Sequence, residues 1–174
     1  MKTKRVTLFL LLIIMAVQGF SQKDPVERIF EKYGGREGYT TVYISSKMFS
    51  MFSEADIEDP EFNELMKNLK SIRILAQDEG AGRTEKADFY KEVVSGLSTE
   101  EYEELMTVTE PGQKIRFLVK EEKGKISELL MIVGGDSDNV LIDIRGNINM
   151  KQISQLSKAI HINGLEKLDE LEKK

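Results

Sequence analysis

The sequence predicts an α+β fold: an antiparallel β-meander of at least four strands with helices packed mainly on one face. Two observations carry that expectation. Before Glu101 the apolar residues recur at the three-and-four spacing of helices, broken by short β-branched runs; from Glu101 onward they alternate with polar ones. The alternating half is also punctuated by "EPGQ", "EKGK" and "GGDSD", which are hairpin-turn compositions.

In chain order, Lys2, Lys4 and Arg5 precede an apolar run from Val6 to Val17, followed by Gly19, Phe20 and Ser21. This is the layout of a secretory signal peptide over residues 1–21, cleaved after Ser21. The apolar core of about a dozen residues is short for a membrane span, which needs roughly 20; an uncleaved anchor is the alternative. The chain has no cysteine, so it has no lipobox for lipid attachment. The mature chain, residues 22–174, is expected to be a single α+β domain with a C-terminal helical tail. It is expected in the periplasm or outside the cell, with no lipid anchor and no transmembrane segment.

Val26, Ile29, Phe30 and Tyr33 lie on one face of a short helix that Gly34 and Gly35 end. "YTTVYIS", Tyr39 to Ser45, is β-branched and aromatic and reads as a strand. In "SKMFSMF", Met48, Met51 and Phe52 can share a helical face, read as core, with a soft binding or membrane-dipping face as the alternative. Asp59-Pro60 is a helix start, with Asp59 as N-cap and Pro60 in the first turn. That helix aligns Phe62, Leu65, Met66 and Leu69. "SIRILAQ" reads as a second strand, and a helix from about Thr84 to Leu97 aligns Tyr90, Val93, Val94 and Leu97.

The meander strands are Tyr102–Thr109, Lys114–Glu121, Lys125–Val133 and Asn139–Arg145. A helix over Tyr102–Met106 is the alternative for the first, because Ser98 and Glu101 match a capping box. Pro111-Gly112 suits the centre of a type II turn, and Gly124 the positive φ of the next turn. Pairing Glu110 with Gln113 and Glu122 with Lys125 sets Val108 opposite Ile115, Met106 opposite Phe117, Phe117 opposite Leu130 and Ile115 opposite Ile132. Val140 then faces Ile132, and Ile142 faces Leu130. The core face so defined is Met106, Val108, Ile115, Phe117, Val119, Leu130, Ile132, Val140, Ile142 and Ile144. The opposite face mixes Leu118, Leu129, Met131 and Leu141 with Arg116, Arg145 and other polar residues. Either the chain's own N-terminal segment or C-terminal tail covers it, or those six residues form a binding surface. After Gly146, Ile153, Leu156 and Ile160 share a helical face, and Leu165, Leu168 and Leu171 continue it past Gly164.

Composition narrows the chemistry. With 25 basic and 30 acidic residues the net charge is −5, and losing Lys2, Lys4 and Arg5 makes the mature chain more acidic. Nucleic-acid binding asks for clustered Lys and Arg, so no nucleic-acid partner is expected. Without cysteine there is no disulfide framework, thiol nucleophile or Cys-based metal site. His161 is the only histidine, which excludes multi-histidine metal sites, and no G-x-S-x-G accompanies it. Glu128 is the carboxylate of most interest, because the register puts it on the core face beside Val119 and Ile144, where desolvation would raise its pKa. "SEADIEDPE" lacks calcium-ligand spacing and reads as a capping loop. "YGGREGY" lies between a helix and a strand, the reverse of a phosphate loop. "GGDSDN" fails the EF-hand spacing, because Val140 and Leu141 stand where a ligand and glycine are needed from Asp136. It reads as a hairpin tip. No catalytic residue, cofactor or metal is assigned.

The stretches "YTTVYISSKMFSMF", "YEELMTVTEPGQKIRFLVKEEKGKISELLMIVGGDSDNVLIDIRGNINMKQISQL" and "NGLEKLDEL" resemble the Bacteroidetes family of exported envelope proteins grouped as domain-of-unknown-function family 4252 (DUF4252). The likeness runs from about Val26 to Leu171, and the long middle block is its specific part. Many members resemble lipoproteins with a lipobox cysteine, which this chain lacks. The resemblance implies no activity, cofactor or catalytic residue. The sequence is therefore read as a non-catalytic envelope or secreted protein binding an unknown protein, peptide or ligand. A carboxylate-dependent hydrolase using Glu128 and a component of envelope sensing are the alternatives.

Overall fold

The computed structural model describes residues 24–54, 59–78, 88–98, 100–135 and 139–149. Residues 1–23 and 150–174, which take in the expected leader, the expected helical tail and His161, lie outside the described residues. Helix α1 (Pro25–Tyr33) leads to strand β1 (Tyr39–Ser45), and helix α2 (Ser46–Glu54) follows without a linker. Helix α3 (Pro60–Asn68) runs directly into β2 (Leu69–Gln77), and α4 (Phe89–Val94) precedes the meander. The meander is β3 (Glu103–Glu110), β4 (Gln113–Glu122), β5 (Lys125–Gly135) and β6 (Val140–Ile148). The segment from Glu103 is therefore strand and not helix.

The α+β class and the antiparallel meander are as expected, and the meander is part of a larger sheet. One six-stranded antiparallel sheet has the order β1-β2-β6-β5-β4-β3. The helix caps follow local chemistry. Asp59 accepts from the backbone N–H of Glu61 at 3.0 Å and of Phe62 at 3.1 Å, with Pro60 in the first turn. Asp24 caps α1 in the same way, accepting from Val26 N–H at 2.9 Å.

Turn residues fix the meander's local register. Glu110 pairs with Gln113, Val108 with Ile115 and Met106 with Phe117. Glu122 pairs with Lys125 across Lys123 and Gly124, whose φ values of 56° and 74° are those of a type I′ turn. Beyond that turn the pairing slips. Lys120 faces Glu128 while Glu121 faces Ile126, which leaves Ser127 as an extra residue. The Ser127 hydroxyl donates to the Lys120 carbonyl at 3.1 Å and satisfies it within the bulge.

This one residue reverses the expected faces of β5. Phe117 pairs with Met131 rather than Leu130, and Ile115 with Val133 rather than Ile132. Val133 meets Val140, Met131 meets Ile142 and Leu129 meets Ile144. The core against α2 and α3 contains Leu129, Met131 and Val133 with Ile115, Phe117, Val119, Ile142, Ile144 and Ile72. Phe49, Leu65 and Met66 close it from the helix side, and Leu69 joins it at the start of β2. Leu118, Leu130, Ile132, Leu141 and Leu75 form the second core, beneath Val26, Ile29 and Tyr33 of α1 and Phe89 and Val93 of α4. The described helices thus divide between the faces, two on each, instead of gathering mainly on one. The unbroken apolar run Leu129–Val133 is the sequence mark of a strand buried on both faces.

Gly134 and Gly135 belong to β5, not to a hairpin tip, and residues 136–138 lie outside the described set. At Gly134 helix α4 lies against the sheet. A Cβ there would stand 2.5 Å from Tyr90 Cβ and 3.3 Å from its backbone nitrogen. Gly134→Ala should therefore lift α4 and destabilise the fold by about 1–3 kcal/mol, measured by urea unfolding. An unchanged midpoint would show that α4 yields without cost.

Candidate functional site

The six residues considered for a binding surface do not form one. Leu118 and Leu141 lie under α1 and α4, whereas Leu129 and Met131 lie on the other face. Their exposures are 4%, 0%, 0% and 1%, so all four are core. Arg116 is paired with Glu104 on neighbouring β3, at 2.5 Å. Arg145 enters a buried ion cluster. The Ser127 bulge and the helices on both faces together abolish the expected patch.

The cluster is built on Asp143 of β6, which is completely buried. Strand pairing places Arg73 of β2 opposite Asp143, and Glu128 of β5 opposite Arg145. Arg73 donates to one Asp143 carboxylate oxygen from Nε at 2.9 Å and from Nη2 at 2.6 Å. Arg145 Nε lies 3.2 Å from the same carboxylate. Helix α1 closes the cluster from above. Glu27 accepts from Arg73 Nη1 at 2.5 Å, Asp24 accepts from Arg145 Nη2 at 3.1 Å, and the Phe30 ring stacks 4.5 Å from the Arg73 guanidinium.

Glu128 completes the network with one oxygen on Arg145 Nη2 at 3.1 Å and the other accepting from the Tyr102 hydroxyl at 3.0 Å. Burial, then the nearby Asp143 charge, pushes its pKa up to about 7, with Arg145 and Tyr102 pulling the other way. The expected desolvation of Glu128 is therefore present, on the face opposite the expected one. Tyr102 is raised too, first by burial and then by Glu128. For Arg145 burial opposes the charge, but Asp143 and Glu128 outweigh it and hold the guanidinium protonated.

Beside this cluster opens a cleft of about 280 Å³, lined by Asp24, Arg28, Leu97, Ser98, Tyr102 and Lys120 among others. Tyr102 separates it from Glu128, which is not among its lining residues. A carboxyl group with a pKa near 7 suits proton transfer. Here, however, both oxygens are engaged by protein groups, and their chemistry is to fix Tyr102 and Arg145. Among the described residues no group of three or more His, Asp or Glu is arranged to hold a metal ion. No described helix is long and apolar enough to cross a membrane.

A different surface stands out. Among the described residues the exposed large apolar side chains are Val42, Tyr43, Met48, Met51 and Phe52, all within one run from β1 into α2. Of "KMFSMF", expected as core, only Phe49 turns inward, at 3% exposure. Met51 and Phe52 are 58% and 43% exposed, and Tyr43 is 66% exposed. Helix α2 packs on α3, β2 and β1, so its single turn toward the core is taken by Phe49 and its other apolar residues remain outside. Strand β1 is the sheet's edge, paired only with β2 among the described strands.

The family model described as "Domain of unknown function (DUF4252)" matches residues 33–156, from the end of α1 through all six strands. The chain belongs to this DUF4252 family. No curated protein and no solved structure matches it. The DUF4252 match thus covers the sheet, the ion cluster on β2, β5 and β6, and the exposed β1–α2 run.

Two outcomes test the cluster. Asp143→Asn removes the charge shared by half-buried Arg73 and Arg145, and should cost about 1–3 kcal/mol of stability at neutral pH; a loss below about 1 kcal/mol would mean that water or Glu27 and Asp24 suffice. Glu128 acts in the opposite sense. Its folded pKa is raised from an ordinary 4.5 to about 7, so between those values the folded chain keeps a proton that the unfolded chain has released. Stability from this group is present below pH 4.5 and lost as pH rises through 7. In urea titrations Glu128→Gln should gain about 2–3 kcal/mol relative to wild type between pH 4.5 and 8. Parallel curves would refute the shift.

Proposed function

We propose that this DUF4252 protein is a non-catalytic binding module, exported to the periplasm or the cell exterior, that holds a protein or peptide partner along the β1 edge and the outer face of α2. The single observation that carries this reading is the confinement, among the described residues, of exposed large apolar side chains to Val42–Phe52. Scattered apolar residues are normal on a surface, whereas a contiguous run on an edge strand and its helix is a common interaction device. Methionine suits such a face, because its flexible thioether adapts to varied partners. The full engagement of Glu128 favours binding over carboxylate hydrolysis.

Photo-crosslinking in the native host tests the proposal. A photoreactive residue at Tyr43 or Met51 should give discrete adducts, while one at exposed Lys125 on the β4–β5 turn should not. Met51→Glu with Phe52→Glu should remove the Tyr43 adducts and change unfolding stability by no more than about 0.5 kcal/mol, as expected of surface positions. Equal adducts from all three positions, or none from Tyr43 and Met51, would overturn the reading.

A further inference from the structure

We infer that the partner at this edge is a second copy of the chain, whose β1 pairs antiparallel with the first β1 about a two-fold axis through Val42. This rests on the β1–α2 reading above and specifies its occupant. The two edges of the sheet differ in the features that normally prevent edge pairing. Edge β3 carries exposed Glu103, Glu104 and Glu110, and a bulge at Leu105 interrupts its register with β4. Both devices block the approach of another strand, and two copies of β3 would repel. Edge β1 has neither. Tyr39–Ser45 contains no charged residue and pairs with β2 through seven positions without a register shift. Regular, neutral and β-branched, it is a template for strand addition.

The sequence of β1 suits itself. A two-fold at Val42 sets Val42 against Val42, Thr41 against Tyr43 and Thr40 against Ile44. These are β-branched and aromatic cross-strand pairs, each favourable on a sheet surface. The flanks are complementary as well. Glu37 precedes the strand and Lys47 follows it, and both are exposed. The same two-fold sets the turn that carries Glu37 of each copy beside the first turn of the other's α2, which carries Lys47, so a chain of net charge −5 meets its copy with opposite charges near both ends of the paired strands. A foreign strand would have to supply that pattern by coincidence. Self-pairing supplies it by symmetry, in the isologous arrangement most common among dimers.

Sedimentation equilibrium of the purified exported chain over a concentration series tests the inference. The expected mass is twice that of one chain, and Val42→Lys, which sets two lysines face to face, should return it to one. Glu37→Lys and Lys47→Glu should each weaken association about tenfold, from two like-charged contacts per dimer, and the double exchange should restore it. Because the chain has no cysteine, Val42→Cys adds a single thiol. Antiparallel partners have Cα atoms about 4.5–5.5 Å apart, within disulfide reach, so this variant should oxidise to a linked dimer even if Val42→Lys fails to fold. A monomeric wild type, a dimer indifferent to Val42→Lys, or charge exchanges whose effects add would overturn the inference. If Tyr43 and Met51 still cross-link to a different protein, or to residues 150–174 of the same chain, self-pairing falls while the β1–α2 surface stands. Loss of those adducts as well would remove both.

Discussion

The structure depends on keeping one fully buried carboxylate charged and occupied. Asp143 sits in β6 between two arginines, with Leu141 and Ile142 preceding it in the core. An ion at that depth is expensive to desolvate, and the cost is offset only where its lone pairs are filled by charged donors. Arg73 and Arg145 fill them, and each then needs further acceptors. Those acceptors are Glu27 and Asp24 of α1 and Glu128 of β5. Satisfying one carboxylate thus recruits the first helix, three strands and, through Tyr102, the entry to the meander. The apolar contacts of Val26 and Ile29 hold α1 down, while the ion pairs set where along the sheet it lies.

The same constraint explains why the two faces are not equivalent. The face under α2 and α3 is closed by apolar packing around Phe117, Leu129 and Met131. The face under α1 and α4 combines an apolar half around Leu141 and Ile132 with the ionic half around Asp143. Directional pairs specify a register that dispersion alone leaves loose. Glu128 is the weakest member, because it shares Arg145 with two other carboxylates and protonates near pH 7. Cohesion at the Tyr102 end of the cluster is therefore greatest on the acidic side.

Much of this was legible in the sequence and some was not, for identifiable reasons. Helix starts at Asp59-Pro60, strands from Tyr39 and from Gln113, and turns at Pro111-Gly112 and Lys123-Gly124 are encoded within a few residues, and they occur where those residues put them. The slip at Ser127 is not local: a serine in mid-strand carries no signal that it will bulge, yet it reverses the side of every later residue in β5. Leu129 to Val133 is apolar throughout, so either register gives an acceptable core and the pattern does not distinguish them. Glu128 is legible as a desolvated carboxylate, but its partners Arg145 and Tyr102 come from β6 and from the approach to β3, whose proximity follows from strand order and from the slip at Ser127. The exposed surface escaped for the converse reason. "KMFSMF" has more apolar residues than one short helix can bury, and only tertiary packing decides that Phe49 goes in while Met48, Met51 and Phe52 stay out.

That surplus has a structural origin in how the chain enters α2. Strand β1 passes into the helix with no intervening loop, and α3 passes into β2 with none either. The two helices therefore return the chain from one edge position to the next across a single face, and α2 must lie above the outermost strand pair. A helix in that position has sheet beneath only part of its surface, so part of its apolar face overhangs the edge. In a chain that only needed to fold, such a helix would carry lysine or glutamate on the overhang, as β3 carries glutamate on the opposite edge. Here the overhang carries methionine and phenylalanine, and the strand beneath it carries no charge at all. Strand β1 thus omits this protection entirely and α2 has it only at exposed Lys47, although a few substitutions would supply more. Such sparse charge is what the self-pairing proposed above requires and what the β3 edge lacks.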